Sequence, residues 1–131
     1  MGRRMVRLVA AAFCLAALVA AALLVLGARD GGEPVARAAD GRVVLALDDF
    51  RFVPQRVRAS RGRVTFVLHN RGRLSHGFRV RKDGREWIRQ PSLPPGGTAT
   101  VGGRLERGDY RMFDPLSNYE ELGMYGTLVV R

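Results

Sequence analysis

The chain has a single cysteine, Cys14, and it stands inside an N-terminal apolar run. Everything after that run therefore has no disulfide, no thiolate metal ligand and no thiol nucleophile. Lysine is almost missing too: Lys82 is the only one among 22 basic residues. Base composition in a GC-rich genome accounts for that arginine bias more simply than function does. No catalytic set is evident. There is no Ser/His/Asp arrangement that a fold would assemble convincingly, no phosphate-cradling glycine loop and no HExxH. No internal repeat occurs, and beyond residue 41 no segment carries a 3.6-residue apolar stripe. These absences exclude most enzyme classes and an all-helical domain.

The N-terminus reads as an export element. Arg3, Arg4 and Arg7 precede an uncharged apolar run from Leu8 to Gly27. A run of about 20 apolar residues is enough to span a bilayer, with its basic flank on the cytoplasmic side. Two readings stay open for residues 1–27: a signal peptide, or an uncleaved transmembrane helix acting as signal anchor. The segment "VARAAD" places Ala36 and Ala38 in A-x-A positions, a cleavage site some distance past the apolar run. Phe13 before Cys14 argues against a lipoprotein, and Arg3-Arg4 alone does not make a twin-arginine signal. Residues 28–40, "ARDGGEPVARAAD", read as a linker or cleavage region. A folded domain over 41–131 follows. From residue 40 on, 17 basic side chains face 10 acidic ones, a balance of +7.

That domain is patterned for β-structure. "RVVLALDDF" (42–50), "FVPQRVRAS" (52–60), "RVTFVLHN" (63–70), "HGFRVRK" (76–82), "GTATVGG" (97–103), "DYRMFD" (109–114) and "YGTLVVR" (125–131) each read as a strand. Pro54 suits the second to a sheet edge. Val64, Phe66 and Leu68 share one face, and His76 shares parity with Phe78 and Val80. Residues 83–93 read as either a short strand or a packed loop. Turn signals such as "NRGR", "KDG", "PPGG" and "ERGD" separate the strands. Seven or eight short strands so spaced predict an all-β, antiparallel-rich sandwich.

Several stretches then carry a family resemblance. These are "DFRFVPQRVRASRG", "VTFVLHNRGRLSHGFRV", "LPPGGTATV" and "RGDYRMFD…MYGTLVV", in that order over about 90 residues. Together they resemble the cupredoxins, the Greek-key β-sandwich family of plastocyanin and azurin. The resemblance implies a metal site with one histidine at a strand start and three ligands in the loop before the last strand. A blue, or type 1, copper centre takes two histidines, a cysteine thiolate and a weak axial methionine. By that correspondence His76 matches the first histidine and Met124 the methionine. Asp114 stands at the cysteine position and Tyr119 at the second histidine. The resemblance therefore implies a degenerate site, since the thiolate that defines the centre is missing.

Asp, His and Tyr form a harder donor set, suited to Cu(II), Fe(III) or Zn(II), and Met124 clashes with it. Each position also has a structural reading. Asp114 before Pro115 suits an Asx-type turn. Tyr119 suits a lid over His76 and Met124 a core filler, while His76 reads as either exposed at a strand start or a hydrogen-bond partner of Asp114. His69 reads as structural or exposed. Glu120 and Glu121, with Asp114, place three acids at one end of an otherwise arginine-rich surface that includes Arg51, Arg56, Arg58, Arg61, Arg63, Arg71, Arg73, Arg79 and Arg81. That surface is either simply solvated or meets anionic lipid, cell-wall polymer or an acidic partner.

The expectation is a non-enzymatic, exported or membrane-anchored accessory or binding module outside the cytoplasmic membrane. No cofactor is expected, and nucleic acid is excluded as a partner. Its partners would be the membrane, through residues 8–27 if uncleaved, and an envelope protein. The alternative is a metal-handling protein holding non-type 1 copper, or iron, through His76 and Asp114, with Tyr119 and Met124 nearby, for a membrane transporter or oxidase. An electron carrier is the weakest reading.

Overall fold

The computed structural model describes residues 34–131; the apolar run and the helix expected for it lie outside them. Among the described residues, no helix is long and apolar enough to cross a membrane. Ten strands form two sheets. In chain order they are β1 (Val35–Arg37), β2 (Arg42–Asp48), β3 (Arg51–Val53), β4 (Arg56–Ala59), β5 (Gly62–Asn70), β6 (His76–Lys82), β7 (Arg85–Leu93), β8 (Thr98–Leu105), β9 (Gly108–Phe113) and β10 (Tyr125–Val130). One sheet has the order β1-β4-β10-β9-β6-β7 and the other β3-β2-β5-β8. Most pairs are antiparallel, whereas β1–β4, β4–β10 and β2–β5 are parallel.

The strand alternation builds the core directly, because successive side chains point to opposite faces of a strand. Leu45 and Leu47 of β2 and Val64, Phe66 and Leu68 of β5 are fully buried on the inner face of one sheet. Phe78 and Val80 of β6, Met112 of β9, and Leu128 and Val130 of β10 face them from the other. Three phenylalanines join the sheets: the Phe78 ring lies 4.8 Å from Phe66 and 5.6 Å, edge-on, from Phe52. Each such side chain contributes about 1.5–3 kcal/mol on burial.

Two elements differ from the sequence reading, and the choice left open for 83–93 falls to a strand. The stretch 52–60 is two strands in different sheets, with the chain crossing at Pro54-Gln55. Only β3 is an edge there, since β4 lies between β1 and β10. Residues 85–93 form a complete strand, but its register shifts against β6 break the alternation, leaving only Ile88 and Leu93 buried. The sheet also begins at Val35, inside the stretch read as linker. Ala36 and Ala38 pack against the core, and the Ala38 amide donates to the Arg58 carbonyl at 2.8 Å. A three-residue strand is too short to show a period.

The register defines one end of the sandwich. β2 and β5 run parallel and finish together, with Leu47 opposite Asn70. β6 starts at that end, and β9 runs back to it, with Arg79 opposite Phe113. Asp49, His76 and the loop from Asp114 to Met124 are thereby gathered from three distant parts of the chain.

Candidate functional site

His76 opens β6 with its side chain fully buried. It shares the inward face of Phe78 and Val80, so the exposed reading of His76 does not hold. Both ring nitrogens are engaged. Nδ1 lies 2.8 Å from Oδ2 of Asp114, and Nε2 lies 3.1 Å from Oδ1 of Asp49. Each ring nitrogen therefore has a carboxylate oxygen within hydrogen-bond distance.

Asp114 follows β9, and its side chain is also fully buried. Oδ1 accepts the amides of Gly77, at 3.0 Å, and Leu116, at 2.9 Å. The second bond closes the Asx turn expected of an aspartate before proline. Gly77 is required by this close approach: a Cβ there would meet Pro115 Cδ at 2.8 Å and the Pro91 carbonyl at 2.9 Å. Asp114 thus ties the start of β6 to the loop that follows β9.

Asp49, which directly follows β2, had no signal in the sequence. It is partly exposed, at 24%, and so connects the buried pair to solvent. Its Oδ1 also accepts the amides of Arg73, at 3.0 Å, and Leu74, at 3.2 Å. The loop it meets is braced from within by buried Asn70. The Asn70 side-chain amide donates to the Leu74 and Leu93 carbonyls, each at 2.8 Å, and its oxygen accepts the Gly72 amide at 2.9 Å.

The His76 ring first, and then the Arg73 amide, hold the Asp49 carboxyl below its usual value. A carboxyl lowered in the fold stabilises it above the unfolded value, about 3.9. That contribution disappears as pH falls through the lowered value. Asp49→Asn is therefore expected to melt lower than the unmodified protein at neutral pH. The difference should close below about pH 4, as read by melting temperature against pH.

Tyr119 and Met124 complete the end. The Tyr119 ring packs 5.4 Å from the His76 ring and 5.3 Å, edge-on, from Phe50. It covers the imidazole as a lid, and neither ring nitrogen uses its hydroxyl as a partner. Met124 is fully buried in the core. The Asp114 amide donates to the Met124 carbonyl at 3.1 Å, and the Met124 amide to the Tyr119 carbonyl at 2.9 Å. All four positions singled out in the sequence therefore meet at one end. His69 precedes Asn70 on β5 and turns to the opposite face of the sheet, partly buried.

The three acids of this loop stand in different environments. Asp114 faces inward, and Glu120 is held by Arg81, at 2.7 Å, and Arg111, leaving Glu121 exposed. Those two arginines also cover rings, Arg81 lying 4.2 Å from the Phe113 centroid and Arg111 4.1 Å from Tyr125.

This donor set does not fit a type 1 copper ion. No cysteine occurs among the described residues, so no thiolate is at hand for the bond that defines such a centre. Two ligands at about 2.0–2.2 Å from a tetrahedral ion stand roughly 3.4 Å apart. Nδ1 of His76 and Oδ2 of Asp114, at 2.8 Å, are spaced as hydrogen-bond partners instead. Nε2 points the other way, to Asp49. Among the described residues, no group of three or more His, Cys, Asp or Glu is placed to hold a metal ion.

The chain is thus a two-sheet β-sandwich with a buried histidine at one strand start and a closing loop before the last strand. Residues 9–130 match the family described as cupredoxin-like domain, and the chain belongs to that family. The fold is similar to that of auracyanin from Roseiflexus castenholzii, at 14% identity and a TM-score of 0.65, over 72% of this chain and 98% of that one. It is also similar to an azurin from Methylomonas sp. strain J, at 14% identity and a TM-score of 0.63, over 71% and 99%. Auracyanin A from Chloroflexus aurantiacus, a "blue" copper protein, is 15% identical with a TM-score of 0.61, over 69% and 98%. No curated protein matches this sequence.

Proposed function

We propose that the protein is a membrane-anchored cupredoxin-like domain of the cell envelope that works as an accessory or binding module, neither an electron carrier nor an enzyme. One observation carries this reading: the Asp114 carboxylate hydrogen-bonds His76 Nδ1 at 2.8 Å, at the positions where the family resemblance puts two copper ligands. A buried carboxylate–imidazole pair, backed by two backbone donors, does the bracing that a metal would otherwise do.

Retention of the N-terminal segment is supported by β1. Cleavage after Ala38 would remove Val35–Arg37 from the sheet and leave the Arg58 carbonyl without its Ala38 donor. The apolar run Leu8 to Gly27 behind Arg3, Arg4 and Arg7 supports an anchor with the domain outside.

The test is a titration of the full-length chain in non-ionic detergent with Cu(II), Fe(III) or Zn(II), followed by melting temperature and, for copper, electron paramagnetic resonance. The expected outcome is no saturable binding that depends on His76. One-to-one binding that is lost in His76→Ala overturns this reading in favour of a metal-handling protein using His76 and Asp114.

A further inference from the structure

A second feature lies at the opposite pole. β10 leaves the His76 end beside Met124 and runs six residues, Tyr125–Val130, or about 20 Å. Where β1, β4 and β10 finish, Arg37, Arg58, Ser60, Asp109 and Arg131 help line a groove of about 550 Å³. The sheet register places Arg37 directly opposite Arg58 on the parallel pair β1–β4. Both are exposed, and neither makes an ion pair among the described residues. Like charges set opposite each other on neighbouring strands repel and cost stability. Asp109 is the one acidic side chain lining the groove, and it is taken by Arg131 at 2.7 Å.

Among the described residues the groove therefore presents two guanidinium forks side by side with no acidic partner, a third nearby and a serine hydroxyl. Guanidinium groups match the oxygens of a phosphate with paired, charge-assisted hydrogen bonds. An anion seated between Arg37 and Arg58 would convert their repulsion into two attractions.

We propose that this groove binds a phosphate group, as a phosphomonoester or phosphodiester. It is independent of whatever occupies the His76 end. The phosphate can come from an anionic lipid headgroup or from a free soluble phosphate.

The test titrates full-length protein in non-ionic detergent, at constant ionic strength, by isothermal calorimetry with two probes: inorganic phosphate and glycerophosphoglycerol. A control exists in the fold, because Arg63 and Arg104 also stand opposite each other, on β5 and β8, but do not line the groove. Saturable binding is expected, weakened about tenfold or more in Arg37→Gln/Arg58→Gln and unchanged in Arg63→Gln/Arg104→Gln. Tighter binding of glycerophosphoglycerol supports a lipid source; equal or tighter binding of inorganic phosphate supports a soluble one. Equal losses in both double variants, or no saturable binding of either probe, overturn the proposal. These substitutions are on exposed strand faces, and unchanged melting cooperativity verifies that each variant is folded.

Discussion

Asp114→Ala is expected to cost about 3–5 kcal/mol of stability, because several buried polar groups lose their partner at once and each such loss costs about 1–3 kcal/mol. Three losses combine. His76 keeps its buried ring but loses the partner of Nδ1. The amides of Gly77 and Leu116 lose their acceptor. The loop after β9 loses its tie to the start of β6. In a domain of this size the melting temperature should fall by more than about 10 °C. Asp114→Asn keeps one carbonyl oxygen for the two amides, and should cost less, about 1–2 kcal/mol. Chemical denaturation of the three proteins checks both the loss and its order. A loss under about 1 kcal/mol in Asp114→Ala would mean that the pair does not brace this end.

The second large effect is a gain. Asp114→Cys combined with Tyr119→His should give an intensely coloured protein with Cu(II). The substitution removes the carboxylate from His76 Nδ1 and supplies a thiolate in its place, while Met124 already stands before β10. Asp49 would remain on Nε2, as a carboxylate that orients a ligating imidazole through its other nitrogen. Visible absorption and electron paramagnetic resonance read the result. Asp114→Ser with Tyr119→His, lacking sulfur, should stay pale. A folded but colourless Cys/His variant would show that the loop from Asp114 to Met124 does not hold the family register.

Much of this was legible in the sequence, for specific reasons. The alternation of Val64, Phe66 and Leu68 fixed the inner face of β5, and all three are fully buried. The parity of His76 with Phe78 and Val80 turned it inward. Asp114 before Pro115 signalled its Asx turn. Tyr119 and Met124 occupy the lid and core positions that their structural readings assigned.

Other parts left no local pattern. β1 has three residues, and its pairing with β4 is a long-range event. β7 is bulged, so its period is broken. The sheet change at Pro54-Gln55 reads from sequence as one strand carrying a proline. Asp49 was missed because nothing near it in sequence resembles a site. It reaches His76 only through the parallel pairing of β2 with β5, which brings residues 27 positions apart to one end. Charge counting also does not reveal that Asp114 is buried and Glu120 paired.

The central claim is that His76 is held at Nδ1 by Asp114 and at Nε2 by Asp49. The most direct test is a long-range ¹H–¹⁵N spectrum of the His76 ring, recorded before and after one equivalent of Cu(II). The account predicts that both ring nitrogens keep their shifts and linewidths, and that Asp114→Asn moves Nδ1 more than Nε2. Loss of the His76 signals at one equivalent of Cu(II), with no response to Asp114→Asn, would contradict it.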